Sequence, residues 1–346
     1  MINSMRMRPL ILAGLLIYLV SFTLPVKAQE LYNYAPHSDI PDGWKLIEGD
    51  ILVPTSMLQA VFPDEGAFGE TIFWPDGIVP YEFDDNVSEV DKERMIEAMA
   101  VWEDAANINF VPRTEEDPSY IHIKDSNMNA SAVGMFLGEQ VVQIYNWDKK
   151  FIMAHELGHA LGFWHEHSRY DRDGHIMINR DNVDMTGEDF EDNFGKESKL
   201  YAHVYGPYDY DSIMHYDQYA FSLCENPESD PNNCRTIIVK SPWNVKWQDV
   251  IGQRDHLSDL DALTMSFLYP EKNWVFVNGF YDLAPLCTSQ SQDGTFLNPY
   301  CEFTTAAEVV PPGGTVIIQP GIYSAVGVYT NMMTLQAPLG DVTLGE

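Results

Sequence analysis

Three histidines and one glutamate lie close together in the chain, in a spacing that could bind a metal ion. His155 and His159 are four positions apart, so on a helix both imidazoles project from one face and can share one ion. Gly162 lets the chain leave that helix through a left-handed conformation, which brings His165 within reach as a third ligand. Zinc prefers four ligands, and a catalytic ion keeps one position for water. With Glu156 beside it, the segment predicts a zinc site and a general base that could activate this water.

A His-Glu-x-x-His pattern can also arise by chance on a surface helix that binds no metal. Here the residues that follow the second histidine are apolar, as in a buried helix, and a glycine and a third histidine stand at the required offsets. These features favour the metal site. Three protein ligands suffice, so we expect no ligand role for the other nearby histidines: His167, His175 and His215.

The chain has 346 residues, of which 45% are hydrophobic, and this is enough for a sizeable core and more than one domain. Lysine and arginine total 20 against 52 aspartates and glutamates, which gives a formal net charge of -32. A field of this sign repels nucleic acids and anionic membranes, so we expect no nucleic-acid partner and no stable membrane association. The acids are spread along the chain, which is typical of a solvated surface.

The N-terminus has the composition of a secretory signal. Arg6 and Arg8 precede an apolar run over 10–24, and a small-residue cleavage site follows. We therefore predict a removed signal peptide over residues 1–28 and a secreted, extracellular protein. The alternative is a membrane anchor, although the run is short for a bilayer span and ends at Pro25.

The chain contains four cysteines. In an exported protein this even number favours two disulfide bonds, which could form in three connectivities. We favour the pairs that are closest in sequence, Cys224 with Cys234 and Cys287 with Cys301.

Periodicity and turn residues predict an α+β domain around the zinc site. The predicted elements are strands at 78–83, 108–111, 120–123 and 141–145, a helix from a capping box at Ser88 and Asp91 to about Ala105, and the zinc helix from about Phe151. We expect a mixed sheet that carries two long helices. We expect the strand at 141–145 to lie at a sheet edge, where it could pair with an extended peptide through main-chain hydrogen bonds.

Two blocks of this sequence are similar to those of one protein family. The zinc segment from His155 to Glu166, followed by Arg169 and Asp171, resembles the extended signature of the astacin family of metzincin zinc metalloendopeptidases. A later block, Tyr210 to Tyr216, resembles the Met-turn of that family. The resemblance covers about residues 66–270 and implies a metzincin, zincin-like fold for this part of the chain.

The resemblance also implies an activity and further site residues. Met214 would form a hydrophobic floor beneath the metal, and Tyr216 would be an extra, switchable zinc ligand that hydrogen-bonds to the developing oxyanion. Glu156 would take a proton from water and pass it to the leaving amine. The implied function is that of a zinc-dependent endopeptidase, with one zinc ion per chain and proteins or peptides as substrates. For Tyr216, the alternative is an ordinary core tyrosine.

Residues 29–65 resemble the pro-segment of the family, which implies a zymogen. The run Ile47-Glu48-Gly49-Asp50 is similar to the Phe-x-Gly-Asp motif, in which the aspartate takes the place of water on zinc. This role falls to Asp50, for which the alternative is a simple turn residue. Cleavage between Pro63 and Thr71 would free the site, and the new amino terminus would then approach Glu166.

Arg254 stands where some astacin relatives carry a basic residue in the pocket for the residue after the scissile bond. The resemblance implies a preference for Asp or Glu at that position, because a buried guanidinium can form two hydrogen bonds with a carboxylate. The alternative is a structural ion pair with Asp255 or Asp259.

The chain departs from the family in its cysteines. Asn107 stands where one cysteine is expected, and Pro270 closes the domain without another, so the two disulfides usual in astacin domains are missing. We therefore expect the core to stabilise the domain, and we expect a bacterial-type member of the family.

After Pro270 the sequence changes to short strand-like runs at 313–321 and 332–344, separated by glycine and proline. They look like the opening coils of a right-handed parallel β-helix. We predict a protease-like domain over 66–271 and a small β-rich module over 272–346, which could contact glycans or surfaces. A second interpretation of the chain is an exported adhesion or glycan-binding protein with an inactive protease-like domain.

Overall fold

The computed structural model describes residues 39–56, 71–185, 187–197, 206–279, 292–325 and 327–345. The predicted signal peptide at 1–28, most of the predicted cleavage segment and Cys287 lie outside these residues. In the part of the chain that is described, no helix is long and apolar enough to cross a membrane.

A seven-stranded mixed sheet organises the first part of the chain, in the order β1-β2-β6-β7-β5-β3-β4. Its strands are β1 (Trp44–Ile47), β2 (Ile51–Pro54), β3 (Ile78–Phe83), β4 (Asn109–Pro112), β5 (Ser119–Asp125), β6 (Ala130–Ala132) and β7 (Gly138–Ile144). The four strands β3, β4, β5 and β7 run in parallel, whereas β6 is antiparallel to β7 and β1 is antiparallel to β2. The predicted mixed sheet is confirmed.

The prediction that the strand at 141–145 lies at a sheet edge is wrong. Strand β7 lies between β5 and β6, and Ser131 of β6 pairs with Val142. The short strand β6 reads Ala130-Ser131-Ala132 and lacks the β-branched and aromatic residues that mark a strand in a sequence. On its other side β6 pairs in parallel with β2. The β1–β2 hairpin therefore forms this edge of the sheet.

Two helices, α1 (Glu89–Glu103) and α2 (Lys150–Ala160), pack with the sheet in one hydrophobic core. Ser88 caps the start of helix α1, since its hydroxyl accepts a hydrogen bond from the Asp91 amide at 3.2 Å, as the capping pattern predicts. The indole N–H of the buried Trp102 donates to the Ala154 carbonyl at 2.7 Å, which ties α1 to α2. The expected α+β fold with two long helices is confirmed.

The chain after α2 forms shorter elements, several of which contribute to a second core. These are β8 (Ile176–Ile178), α3 (Glu188–Phe194), α4 (Pro231–Cys234), β9 (Ile237–Val239), α5 (Asn244–Trp247) and α6 (Asp259–Leu268). The second core is rich in aromatic side chains. The segment from Ile213 to Tyr216 contributes to both cores and so connects them. Cys224 and Cys234 form the predicted disulfide.

A small module follows α6. It comprises β10 (Trp274–Val277), α7 (Phe303–Val309), β11 (Thr315–Ile318), β12 (Gly321–Tyr323), β13 (Thr334–Gln336) and β14 (Val342–Leu344). Strands β10, β11 and β13 form one parallel sheet, and β12 and β14 form another, so the module is β-rich as expected. Phe276 and Phe296 pack against Phe267 of α6, which attaches the module to the preceding domain. Cys301 is disulfide-bonded, and its predicted partner lies outside the described residues.

Candidate active site

Helix α2 brings two predicted ligands and the predicted base to one place. His155, Glu156 and His159 are fully buried, and the Nε2 atoms of the two histidines are 3.2 Å apart. Just beyond the helix, Gly162 has a φ of 113°, a conformation that residues with a side chain rarely adopt. The turn returns His165 to the site, with its ring centre 5.3 Å from that of His155 and 4.7 Å from that of His159. The three predicted histidine ligands therefore face one another.

The outer nitrogens of these imidazoles all have oxygen partners. The Nδ1 atom of His155 lies 2.6 Å from the Ile213 carbonyl oxygen, and that of His159 lies 2.8 Å from the Phe163 carbonyl oxygen. The Nδ1 atom of the third histidine lies 2.7 Å from a carboxylate oxygen of Glu48. Because these oxygens accept, each Nδ1 atom donates a proton to its partner and the Nε2 lone pair faces the centre. This orientation is the one that metal-binding histidines adopt.

Asp50 completes the group of donor atoms. One of its carboxylate oxygens lies 3.2 Å from His155 Nε2, and the other lies 3.2 Å from His165 Nε2 and 3.6 Å from His159 Nε2. The four donor atoms lie within 4.8 Å of one another. Among the described residues, two of these atoms are buried and form no hydrogen bond: His165 Nε2 and the Asp50 oxygen nearest to it, Oδ1. Three imidazole nitrogens and one carboxylate oxygen are ligands that zinc prefers, and buried polar atoms without hydrogen bonds are expected where a metal ion binds.

Glu156 is a buried carboxylate beside this cluster. Neither of its oxygens has a hydrogen-bond partner among the described residues. Burial raises the pKa of Glu156 well above its ordinary value, the charge of Asp50 raises it further, and the charge of Arg254 partly opposes both. A buried carboxyl group without a partner destabilises a fold, so its presence here indicates a function rather than a structural role.

Met214 packs directly beneath the histidine-bearing helix. A Cβ atom placed on Gly158 of α2 would lie only 3.0 Å from Met214 Sδ, so the two segments are in close contact. Asp261 holds the turn, since its two carboxylate oxygens accept from the Ser212 hydroxyl at 2.6 Å and the Ile213 amide at 2.9 Å. Helix α6 therefore fixes the turn that places Met214 beneath the site.

Tyr216 lies next to the third histidine. Its ring centre is 4.7 Å from that of His165, and it stacks on His167 at 3.6 Å. The side chain is fully buried, a property it would share with an ordinary core tyrosine, so its predicted role as a ligand and hydrogen-bond donor stays a prediction. The three histidines that we expected to be non-ligands belong to no group of metal donors in the part of the chain described: His167, His175 and His215.

Glu166 lies at a cavity of about 120 Å³. One of its oxygens accepts from the Arg169 guanidinium at 2.9 Å and from the Asp209 amide at 2.7 Å. Burial raises the pKa of Glu166 to about 8, although the charge of Arg169 opposes this. The cavity is also lined by Thr71, the first described residue after the predicted cleavage segment, and by Leu297 of the C-terminal module.

Arg254 is almost entirely buried, with 2% of its surface exposed. Its Nη1 atom donates to the His215 carbonyl at 3.1 Å and to the Gln253 carbonyl at 2.8 Å. Asp255, one of the two acids proposed as an alternative partner, forms an ion pair with His256. Arg254 therefore brings a positive charge to the site rather than to the surface.

Sequence reasoning missed three acidic residues that support the site. Glu48 occupies the unspecified position of the pro-segment motif, so no sequence signal points to its contact with His165. Asp209 accepts from the Ser258 hydroxyl at the start of α6. The supporting role of Asp261 could have been suspected, because Ser258 and Asp261 have the spacing of a capping box, which the structure contains.

The chain is similar in sequence to the proteins of one peptidase family. The sequence profile of the peptidase family Astacin matches residues 68–270. The zinc metalloproteinase nas-14 of Caenorhabditis elegans is 37% identical over 202 residues, which cover 57% of this chain and 37% of that protein. The low choriolytic enzyme of Oryzias latipes is 34% identical over 234 residues, covering 65% of this chain and 78% of that enzyme.

Among solved structures, high choriolytic enzyme 1, a hatching enzyme zinc-protease from Oryzias latipes, is 29% identical. Its TM-score is 0.48, and the match covers 58% of this chain and 94% of that one. The chain spans about half or less of the length of two of its relatives from Caenorhabditis elegans, with 37% of nas-14 and 48% of the zinc metalloproteinase nas-8 covered. All these relatives are animal proteins, so the expectation of a bacterial-type member is not supported. The match over residues 68–270 shows that the chain belongs to the astacin family of peptidases.

Proposed function

We propose that this chain is a secreted zinc endopeptidase that is made as a zymogen and hydrolyses peptide bonds in proteins. The observation that carries the proposal is the convergence of three imidazole Nε2 atoms and one carboxylate beside the buried Glu156, whose oxygens have no hydrogen-bond partner among the described residues. A purely structural role for these buried residues would not require metal-binding atoms beside a carboxylate without a hydrogen-bond partner.

Each residue of the site has a proposed role. His155, His159 and His165 hold one zinc ion per chain, which supplies Lewis-acid chemistry when bound. Glu156 takes a proton from the attacking water and delivers it to the leaving amine. The Tyr216 hydroxyl donates a hydrogen bond to the oxyanion that develops on the peptide carbonyl.

Asp50 and the β1–β2 hairpin keep the zymogen silent in this proposal. The Asp50 carboxylate lies among the three Nε2 atoms, where the attacking water would have to bind. Its carbonyl accepts from the Ser131 amide at 2.9 Å, and β2 pairs with β6, so the hairpin also covers the sheet edge that an extended peptide would use. The pro-segment over 29–65 thus blocks both the water and the substrate.

Cleavage between Pro63 and Thr71 is proposed to release the hairpin. The described chain resumes at Thr71, which lines the cavity beside Glu166, so a new amino terminus formed just before it would reach this carboxylate. We keep the proposed limits of 66–271 for the protease domain and 272–346 for the C-terminal module. Export rests on the signal-like residues 1–28, and a glycan or surface contact of the module is an expectation from its sequence.

Removal of the metal tests the proposal. The cleaved, activated chain is expected to hydrolyse an unfolded protein such as casein, and 1,10-phenanthroline is expected to abolish this activity because the water loses its Lewis acid. One equivalent of zinc, measured by elemental analysis, should restore it. If activated protein has no activity that chelation removes, the enzyme is excluded and the alternative, an exported adhesion or glycan-binding protein, is favoured.

Arg254 is proposed to select an acidic residue after the scissile bond. It is buried near the site, where its charge partly opposes the rise in the pKa of Glu156 that burial causes, so a substrate carboxylate in this region would gain a charge-assisted hydrogen bond. We expect Arg254→Gln to lower kcat/KM for peptides with Asp or Glu at that position by about 10- to 100-fold, and to leave neutral peptides nearly unchanged. Cleavage-site profiling of a peptide library measures both, and an equal loss for acidic and neutral peptides would contradict the role.

A further inference from the structure

The tip of the β1–β2 hairpin has an unusual backbone for its sequence. Glu48 has a φ of 44° and Gly49 a φ of 72°, both in the left-handed region. Gly49 adopts this conformation without cost, whereas a residue with a side chain is disfavoured there. A contact of the Glu48 side chain must therefore offset the cost of its backbone.

That contact is with the third histidine of the site. A carboxylate oxygen of Glu48 lies 2.7 Å from His165 Nδ1, and both residues are buried, at 3% and 1% exposure. On the opposite side of the same ring, an oxygen of Asp50 lies 3.2 Å from His165 Nε2. The two acids of one turn thus contact the two nitrogens of one imidazole.

The hairpin is also attached to α3, away from the histidines. The Glu48 amide donates to the Asp192 carbonyl at 3.0 Å, and the Lys45 ammonium pairs with the Asp192 carboxylate at 2.5 Å. Lys45 and Asp192 are partly exposed, at 32% and 23% of their side chains, so this ion pair is screened by solvent. The Glu48 carboxylate is therefore in a stronger position to hold the turn than Lys45 is.

We propose that Glu48 is a second anchor of the pro-segment and positions His165 by accepting a hydrogen bond from its Nδ1–H group. The proposal extends the zymogen proposed above and rests on it. In the silent state Glu48 keeps the imidazole in the tautomer and orientation that present Nε2 to the metal, while the imidazole in turn holds the hairpin. Release of the hairpin removes this partner from His165 together with Asp50.

The test compares variants of the full chain in a Glu156→Ala background, which prevents self-cleavage. Glu48→Ala removes the acceptor, Glu48→Gln keeps one, and Lys45→Met removes the partly exposed ion pair with Asp192. The readouts are hydrogen exchange of the amides in β1 and β2 and zinc affinity by chelator competition. Exchange of the α1 amides reports whether each variant is folded, and Glu48→Leu replaces Glu48→Ala if the latter is not.

In the Glu48→Ala variant we expect hydrogen exchange of the β1 and β2 amides to be about 10- to 100-fold faster, because a buried hydrogen bond to a charged group is lost. Zinc affinity should fall by about 10- to 100-fold, as for other outer partners of metal-binding histidines. Glu48→Gln should recover most of both effects. Lys45→Met should speed exchange only a few-fold and leave zinc affinity unchanged, as expected of an exposed ion pair.

Unchanged hairpin exchange in Glu48→Ala would overturn the anchor. If Glu48→Ala speeds exchange but leaves zinc affinity unchanged, as expected for Lys45→Met, Glu48 does not position His165. The exchange comparison needs neither catalysis nor bound zinc. A parent chain that binds no zinc would therefore refute the proposed enzyme, while the hairpin comparison would still decide whether Glu48 is an anchor.

Discussion

Replacing Glu156 by glutamine is expected to lower kcat/KM of the activated chain by a factor of about 10² to 10⁴. Glutamine has nearly the same shape but cannot accept a proton from water at neutral pH. Because neither oxygen of Glu156 has a partner among the described residues, the substitution breaks no hydrogen bond and should leave the fold intact. The loss of activity would then report the proton transfer alone.

The measurement is the steady-state cleavage of a fluorogenic peptide, with zinc content determined on the same sample. Glu139→Gln is a matched control, since Glu139 is an exposed residue that hydrogen-bonds to Tyr120 and His122 and is not one of the site residues. We expect it to retain the parent's kcat/KM within a factor of about two. Full activity of Glu156→Gln at normal zinc content would show that another group is the base.

The helices and the cluster of three histidines could be predicted because their signals are local. The Ser88 cap, the spacing of His155 and His159, and the glycine at 162 each determine a conformation within a few residues. The structure places the three histidines together, as this spacing predicts. The features that sequence reasoning missed depend on residues far apart in the chain.

The sheet edge is the clearest example. Strand β6 is three small residues, and it forms because β7 on one side and β2 on the other supply its hydrogen-bond partners. Such a strand has no propensity of its own, so the strand at 141–145 was wrongly expected at an edge. Glu48 was missed for the same reason, since its partner His165 is more than a hundred residues away.

Asp50 is expected to control the activity of the uncleaved chain. Its carboxylate lies among the three Nε2 atoms, and the Asp50→Ala substitution would open that position to water. We expect the activity of the intact precursor to rise by about 10- to 100-fold, the range that corresponds to losing one buried hydrogen bond to a charged group. It should stay below that of the cleaved enzyme, because β2 would still cover β6 in most molecules.

Asp42→Ala is the matched control, since Asp42 is an exposed acid in the same pro-segment. It removes the same charge from the segment but not from the metal position, so its precursor should remain silent. Intact mass must show that each precursor is uncleaved when its activity is measured. If the Asp50→Ala precursor binds zinc but stays inactive, Asp50 is not the residue that keeps the precursor inactive, and the β2–β6 pairing would then be the stronger block. Equal activation by both variants would instead point to the net charge of the pro-segment.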